Sequence, residues 1–135
     1  MFEAIDTSGT GLTAYRAWID VLANNIANVN TVKPMSGNAF QAQFAQAQEI
    51  AAGPDGIGRG VRVTALPLSS REGIPTYDPT NPVADAEGYV RRPDIDMNQQ
   101  MGDLILAQRA FQANANAVER STAMYESAIA IGKGI

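Results

Sequence analysis

Three short stretches of this sequence hold residues whose types and spacing could do chemistry. Gly56-Ile57-Gly58-Arg59-Gly60 offers mobile backbone N–H groups beside a cation, the ingredients of a phosphate cradle. It lacks the GxGxxG spacing, and a strand-like pattern follows it where a phosphate loop needs a helix, so a hairpin loop is the better reading. Asp78, Asp85 and Glu87 cluster in "DPTNPVADAEG" and raise the question of a calcium loop. Their spacing does not fit DxDxDG, and no bidentate glutamate follows at the twelfth place, so a plain turn is expected. Asp94 and Asp96 form a carboxylate pair of the kind used in acid–base catalysis. They stand just before a helical pattern, where the helix dipole favours acids, and capping is the simpler role.

The chain has no histidine and no cysteine. That removes the commonest general base, the commonest metal ligand and every thiolate. Zinc chemistry, Ser-His-Asp catalysis and disulfides are excluded, so no enzyme activity, cofactor or metal site is expected. The net charge of −4 over 135 residues is evenly scattered, which argues against a nucleic-acid or acidic-membrane patch. No run approaches the roughly 18 apolar residues of a membrane span. The first residues, MFEAIDTSGTG, show no positive region followed by an apolar one, so a cytoplasmic protein, or one exported without a cleaved signal, is expected.

With chemistry set aside, the elements themselves become informative. From Ile5 the apolar residues step by threes and fours. Ile5, Leu12, Ile19 and Ile26 form one line and Ser8, Tyr15, Leu22 and Val29 the other. This spacing argues for a coiled-coil helix, with Asp6, Thr7 or Ser8 as its cap. Towards the other end, Met97, Leu104, Phe111, Val118 and Tyr125 form a line. Met101, Gln108, Ala115, Thr122 and Ile129 lie between them. Asp94 or Asp96 would start this helix and Gly132 would stop it. The expected fold is mainly α, with residues 1–32 and 94–135 paired as an antiparallel coiled coil. A small β or extended insert, residues 33–93, would join them.

The outer faces of these helices are unusual. "LANNIANVNTVKP", residues 22–34, contains four asparagines, although asparagine is a poor helix former. "AFQANANAV", residues 110–118, is likewise uncharged. Solvated helices normally carry charge opposite their seam. Small residues allow close approach, and amides offer donors and acceptors without the desolvation cost of a charge. Asn24, Asn25, Ala27, Asn28, Asn30, Thr31, Gln112, Asn114 and Asn116 are therefore expected to meet neighbouring subunits. Gly9 and Gly11 each cost about 1 kcal/mol against alanine in a helix, so the free segment should order only when covered.

The middle of the chain carries prolines at 34, 54, 67, 75, 79 and 82. "NAFQAQFAQAQ" alternates at Phe40, Ala42 and Phe44, which favours a strand. "VRVTALPLSS" reads as a strand broken by Pro67, and residues 71–94 as turn-rich extended chain. Tyr89 and Val90 are expected to dock this arm onto the helices.

"NNIANVNT" resembles the signature of flagellar rod and hook axial proteins, with Asn25, Ile26, Ala27, Asn28 and Thr31 on its positions. Residues 77–134, above all "NPVADAEGYV" and "RAFQAN", are similar to the C-terminal half of the proximal-rod C type. Many axial proteins continue the asparagine motif with Thr-Gly and an aromatic residue. Here Thr31-Val32-Lys33-Pro34 and a Ser36-Gly37 turn precede Phe40, as in the longer linker of the proximal type. The resemblance implies a structural subunit of the bacterial flagellar basal body. Such a subunit is exported through the flagellar type III apparatus and assembles into the periplasmic rod that carries motor torque. It implies as partners copies of the chain, other rod proteins and the basal adaptor to the membrane ring. A cytoplasmic coiled-coil adaptor or export-linked binding protein would use the same seam with a single partner.

Overall fold

A computed structural model describes residues 2–54 and 56–133 of the chain. Helix α1 spans Phe2–Asn28 and helix α2 spans Met97–Lys133, and the two pack against each other. Between them lie two separate antiparallel strand pairs. β1 (Gln46–Glu49) pairs with β2 (Val61–Ala65), and β3 (Ile74–Tyr77) pairs with β4 (Tyr89–Arg92). The molecule is mainly helical with a small β insert.

Helix α1 begins before all three expected caps. Asp6, Thr7 and Ser8 lie inside it, and only the acid Glu3 stands in its first turn. The glycines do not break it, because tertiary packing overrides their low propensity. A Cβ at Gly11 would sit 2.8 Å from Asn114 Oδ1 of α2, so the missing side chain is what allows the two helices to approach here. Thr10 Oγ1 donates to Thr7 O at 2.7 Å and Thr13 Oγ1 to Gly9 O at 3.1 Å. Such back-bonding keeps hydroxyls satisfied inside a helix.

Asp96 starts α2 as expected. Its Oδ1 accepts from the backbone N–H of Asn98 at 2.8 Å and of Gln99 at 3.3 Å, two donors that have no partner within the helix. At the other end α2 runs through Gly132 to Lys133, so Gly132 is not its stop.

The β1–β2 hairpin lies on α1. Val61 and Val63 are half-buried while Arg62 and Thr64 are exposed, the alternation of a strand with one covered face. Ala14, Tyr15 and Trp18 of α1 line a groove of about 250 Å³ together with Ala45, Ala47, Val61 and Val63. The Tyr15 and Trp18 rings are 6.1 Å apart. The expected strand at Phe40–Phe44 is extended chain instead. It is tied to the returning segment by a Gln43–Leu68 bridge and by Ser69, whose Oγ accepts from Ala42 N at 2.8 Å. Ladder structure begins at Gln46.

Residues 71–94, read as turns and extended chain, contain the β3–β4 hairpin. Its β4 strand also bonds Lys33, five residues past the end of α1: Lys33 N to Arg91 O at 2.9 Å and Arg91 N to Lys33 O at 2.8 Å. Val90 is 0% exposed, whereas Tyr89 is exposed and meets Tyr77 edge-on at 5.4 Å.

One glycine fixes the first hairpin against the helix. Gly60 has φ +98°, and a side chain there would run into Thr10 Oγ1. The same hydroxyl oxygen accepts from Val61 N at 3.0 Å. Gly60→Ala should therefore lift the hairpin and cost about 1–3 kcal/mol. Trp18 is the only tryptophan of the chain. A red-shifted emission and a lower urea midpoint are expected, and an unchanged spectrum and midpoint would contradict the docking.

Candidate functional site

The residues with the richest polar geometry are amides, and they gather where α1, α2 and the insert meet. Asn25 is 1% exposed. Its Nδ2 donates to Gln43 O at 2.8 Å and to Gln100 Oε1 at 2.9 Å. Its Oδ1 accepts from Gln43 N at 2.9 Å. One side chain thereby satisfies both backbone groups of a loop residue and joins it to α2. Buried amides held in this way are specific, because an unmade bond would leave a desolvated polar group.

Asn25 was expected on a subunit interface, and the structure places it in the interior of the protomer. Asn114 moves inward in the same sense: it is half-buried, lies against Gly11, and donates Nδ2 to Ala110 O at 2.9 Å. The small residue opposite makes room for the amide. The other expected interface residues stay outside or at the helix end. Asn24, Ala27, Asn30, Gln112 and Asn116 are exposed, and Asn28 and Thr31 are half-buried. Asn28 Nδ2 donates to Asn24 O at 3.0 Å, Thr31 Oγ1 donates to Asn28 Oδ1 at 3.2 Å, and Arg92 Nη2 donates to Asn30 Oδ1 at 2.6 Å. These bonds finish the last turn of α1 and tie the chain beyond it to β4.

The expected seam is brought together in part. On α1, Leu22 is buried, and Ile5, Leu12, Tyr15, Ile19 and Ile26 are half-buried, as is Val29 just past its end. Tyr15 among these faces the insert, since it lines the hairpin groove. On α2, Leu104, Phe111 and Val118 are half-buried. Their companion line differs by one position from the expected one: Gln100, Ala107 and Ser121 are buried and Asn114 half-buried. Met97, Met101, Tyr125 and Ile129 are exposed, Met101 at 49%. The reason is size. Ala107, Asn114 and Ser121 are small or compact enough for close approach to α1, and Gln100 has a polar partner waiting in Asn25. Reading by hydropathy favoured the methionine line; the seven-residue recurrence of Gln100, Ala107, Asn114 and Ser121 was the available signal.

Large apolar residues left on the surface of α2 were not anticipated: Ile105, Leu106, Met124 and Ile131. The acids offered for chemistry act locally. Asp78 accepts from Asn81 Nδ2 at 3.0 Å and Thr80 Oγ1 at 3.0 Å. The bond from Asn81, then that from Thr80, holds its pKa below the ordinary value of 3.8. A depressed carboxylate favours the folded turn above that value, a contribution lost as pH falls through the lower folded pKa. Asp85 Oδ1 accepts from Glu87 N and Tyr89 N, closing the same hairpin.

Comparison with known proteins bears on this arrangement. Residues 5–34 match the family model described as flagella basal body rod protein. Residues 86–131 match the one described as flagellar basal body rod FlgEFG protein C-terminal. A relative from Borreliella burgdorferi, named flagellar basal-body rod protein FlgC, is 37% identical, with 99% of each chain covered. Relatives of the same name are 31% identical in Bacillus subtilis (98% of each chain) and 33% in Aquifex aeolicus (93% of this chain, 92% of the relative).

If the Asn25 amide is the fastening point, Asn25→Ala should destabilise the fold by about 2–4 kcal/mol. Asn24→Ala, one residue away on the exposed side, should change it by about 0.5 kcal/mol or less. Urea unfolding of both variants decides the point; equal midpoints would refute the assignment.

Proposed function

The chain belongs to the flagellar basal-body rod protein family, FlgC type, and on that premise we propose that its helices form an antiparallel coiled coil whose uncovered faces bind neighbouring subunits. As a member of that family it is a structural subunit of the flagellar basal-body rod, not an enzyme, and it associates with other rod components.

Two contacts support the antiparallel reading. Gly11 lies against Asn114, and Asn25 bonds Gln100. Moving fourteen residues forward on α1, from 11 to 25, corresponds to moving fourteen back on α2, from 114 to 100. Two heptads of one helix thus match two of the other, the spacing a coiled coil requires.

The observation that carries the assembly reading is the end of α2. Every described residue from Thr122 to Lys133 is exposed, including Met124, Ile129 and Ile131. In the register above, Phe2 stands opposite Ala123, so about 15 Å of α2 projects beyond the start of α1. Apolar residues on such an overhang mark a contact surface. The uncharged Asn24, Ala27, Gln112 and Asn116, with Asn28, Asn30 and Thr31 at the helix end, add a second face for neighbours.

The function is mechanical. Torque passes along a tube when each subunit is packed on several sides, and close-packed helices resist deformation. The subunit works in the periplasmic part of the basal body, reached through the flagellar type III apparatus. Its further partners are copies of itself and the basal adaptor to the membrane ring. The three relatives described above are named as rod proteins, which does not favour a cytoplasmic coiled-coil adaptor. No described helix is long and apolar enough to cross a membrane.

Deleting the gene and imaging the cells by electron microscopy tests this reading. Loss of hook and filament with an intact membrane ring is expected. Filaments of normal length on the deletion strain would contradict it.

A further inference from the structure

A strand at the margin of a sheet leaves a row of backbone N–H and C=O groups unpaired, and proteins normally close such margins. Three of the four strands here have theirs closed, each by a different device. On β2, Val61 N donates to Thr10 Oγ1 of α1. On β4, Arg91 exchanges both backbone bonds with Lys33. On β3, Asp78 N just past the strand faces inward to Gly88 O, so by alternation Pro75 stands where an N–H would face outward.

β1 has none of these. Phe44 N donates to Pro67 O and Ile50 N to Gly60 O, both towards the β2 side. By alternation Ala45, Ala47 and Glu49 turn their backbone groups outward. Among the described residues, nothing bonds those groups. At Gln43, two residues earlier, the same margin is held by the Asn25 amide. α1 passes from this margin at Gln43 to the β2 margin at Val61, and leaves β1 uncovered between them. Gln46–Glu49 is exposed throughout, with one charge and no proline.

A row of alternating donors and acceptors at this spacing is matched by another extended backbone. We propose that β1 pairs antiparallel with β1 of a second copy, about a two-fold axis through Ala47. What points to a second copy is the self-complementarity of the segment. Around Ala47, each Gln46 faces the other copy's Gln48, each Ala45 its Glu49 and each Phe44 its Ile50. Amide meets amide, the large apolar side chains meet each other, and each carboxylate meets an alanine rather than its own copy. Phe44, 49% exposed in the single chain, gains cover. A shift by two residues either way separates Phe44 from Ile50, and a shift by one turns the bonding groups out of register. Ala45 and Ala47 line the groove on α1, so the paired glutamines lie on the far face, clear of both helices.

A two-fold pair closes on itself. It does not repeat along a tube whose subunits all point one way, so it belongs to the chain outside the rod. There it covers the open margin, and it separates before a subunit is added. The pairing itself concerns the free chain and stands without the rod reading.

Analytical ultracentrifugation of the full-length chain tests it. Self-association towards the mass of two 14.3 kDa chains is expected as concentration rises. Ala47→Pro removes an outward N–H that the β1–β2 ladder does not use, so the hairpin should persist and the dimer be lost. Trp18 emission reports whether the hairpin still lies on α1. The chain has no cysteine of its own. Under oxidation, Gln46→Cys and Gln48→Cys chains mixed together should give a disulfide-linked dimer, whereas two copies of either one alone stand too far apart. A native chain monomeric at every concentration, a dimer that survives Ala47→Pro, or linkage from a single variant as strong as from the mixture would overturn the proposal. Where Ala47→Pro also changes the Trp18 emission, the cysteine mixture alone decides.

Discussion

The arrangement of this molecule depends on one buried amide. Asn25 gives both Nδ2 hydrogens, one to Gln43 O and one to Gln100 Oε1, and receives Gln43 N–H on its Oδ1. Towards Gln43 it acts as a short piece of strand, supplying one donor and one acceptor to the backbone. Towards Gln100 it sets the height at which α2 passes α1. Aspartate has the acceptors but not the donors, and glutamine carries the amide one carbon further out. A poor helix former thus stands in mid-helix because its amide does work that no better helix former could do at that place.

Much of the helical design was legible. The heptad steps gave both helices, and Asp96 announced the start of α2. The line Leu104, Phe111 and Val118 lies on the packed side. What escaped was the polar half of the packing. Hydropathy treats Gly11, Asn25, Gln100 and Asn114 as surface, whereas the structure joins them in two pairs between the helices. A buried amide is recognisable only with its partner, and here the partner lies 75 residues away. The β3–β4 hairpin was hidden for a related reason. Its strands are only four residues each and carry Pro75 and two arginines, so no alternation of apolar residues announces them.

The same distinction governs which surfaces remain for assembly. Small and amide residues near the middle of the helix pair are spent inside the protomer. The exposed apolar residues of α2 stand at its two ends, beyond or behind the reach of α1. A free chain so built keeps its sticky surface in pieces too small to bind strongly alone. In the assembly proposed above, an array presents many such pieces at once, and stability follows from repetition.

Hydrogen–deuterium exchange along α2, compared between the free chain and isolated basal bodies, tests this division most directly. Amides from Leu104 to Ser121 should be protected in both. Those from Thr122 to Lys133 should exchange quickly in the free chain and become protected in the rod. A terminal segment that exchanges equally fast in both states would contradict the account.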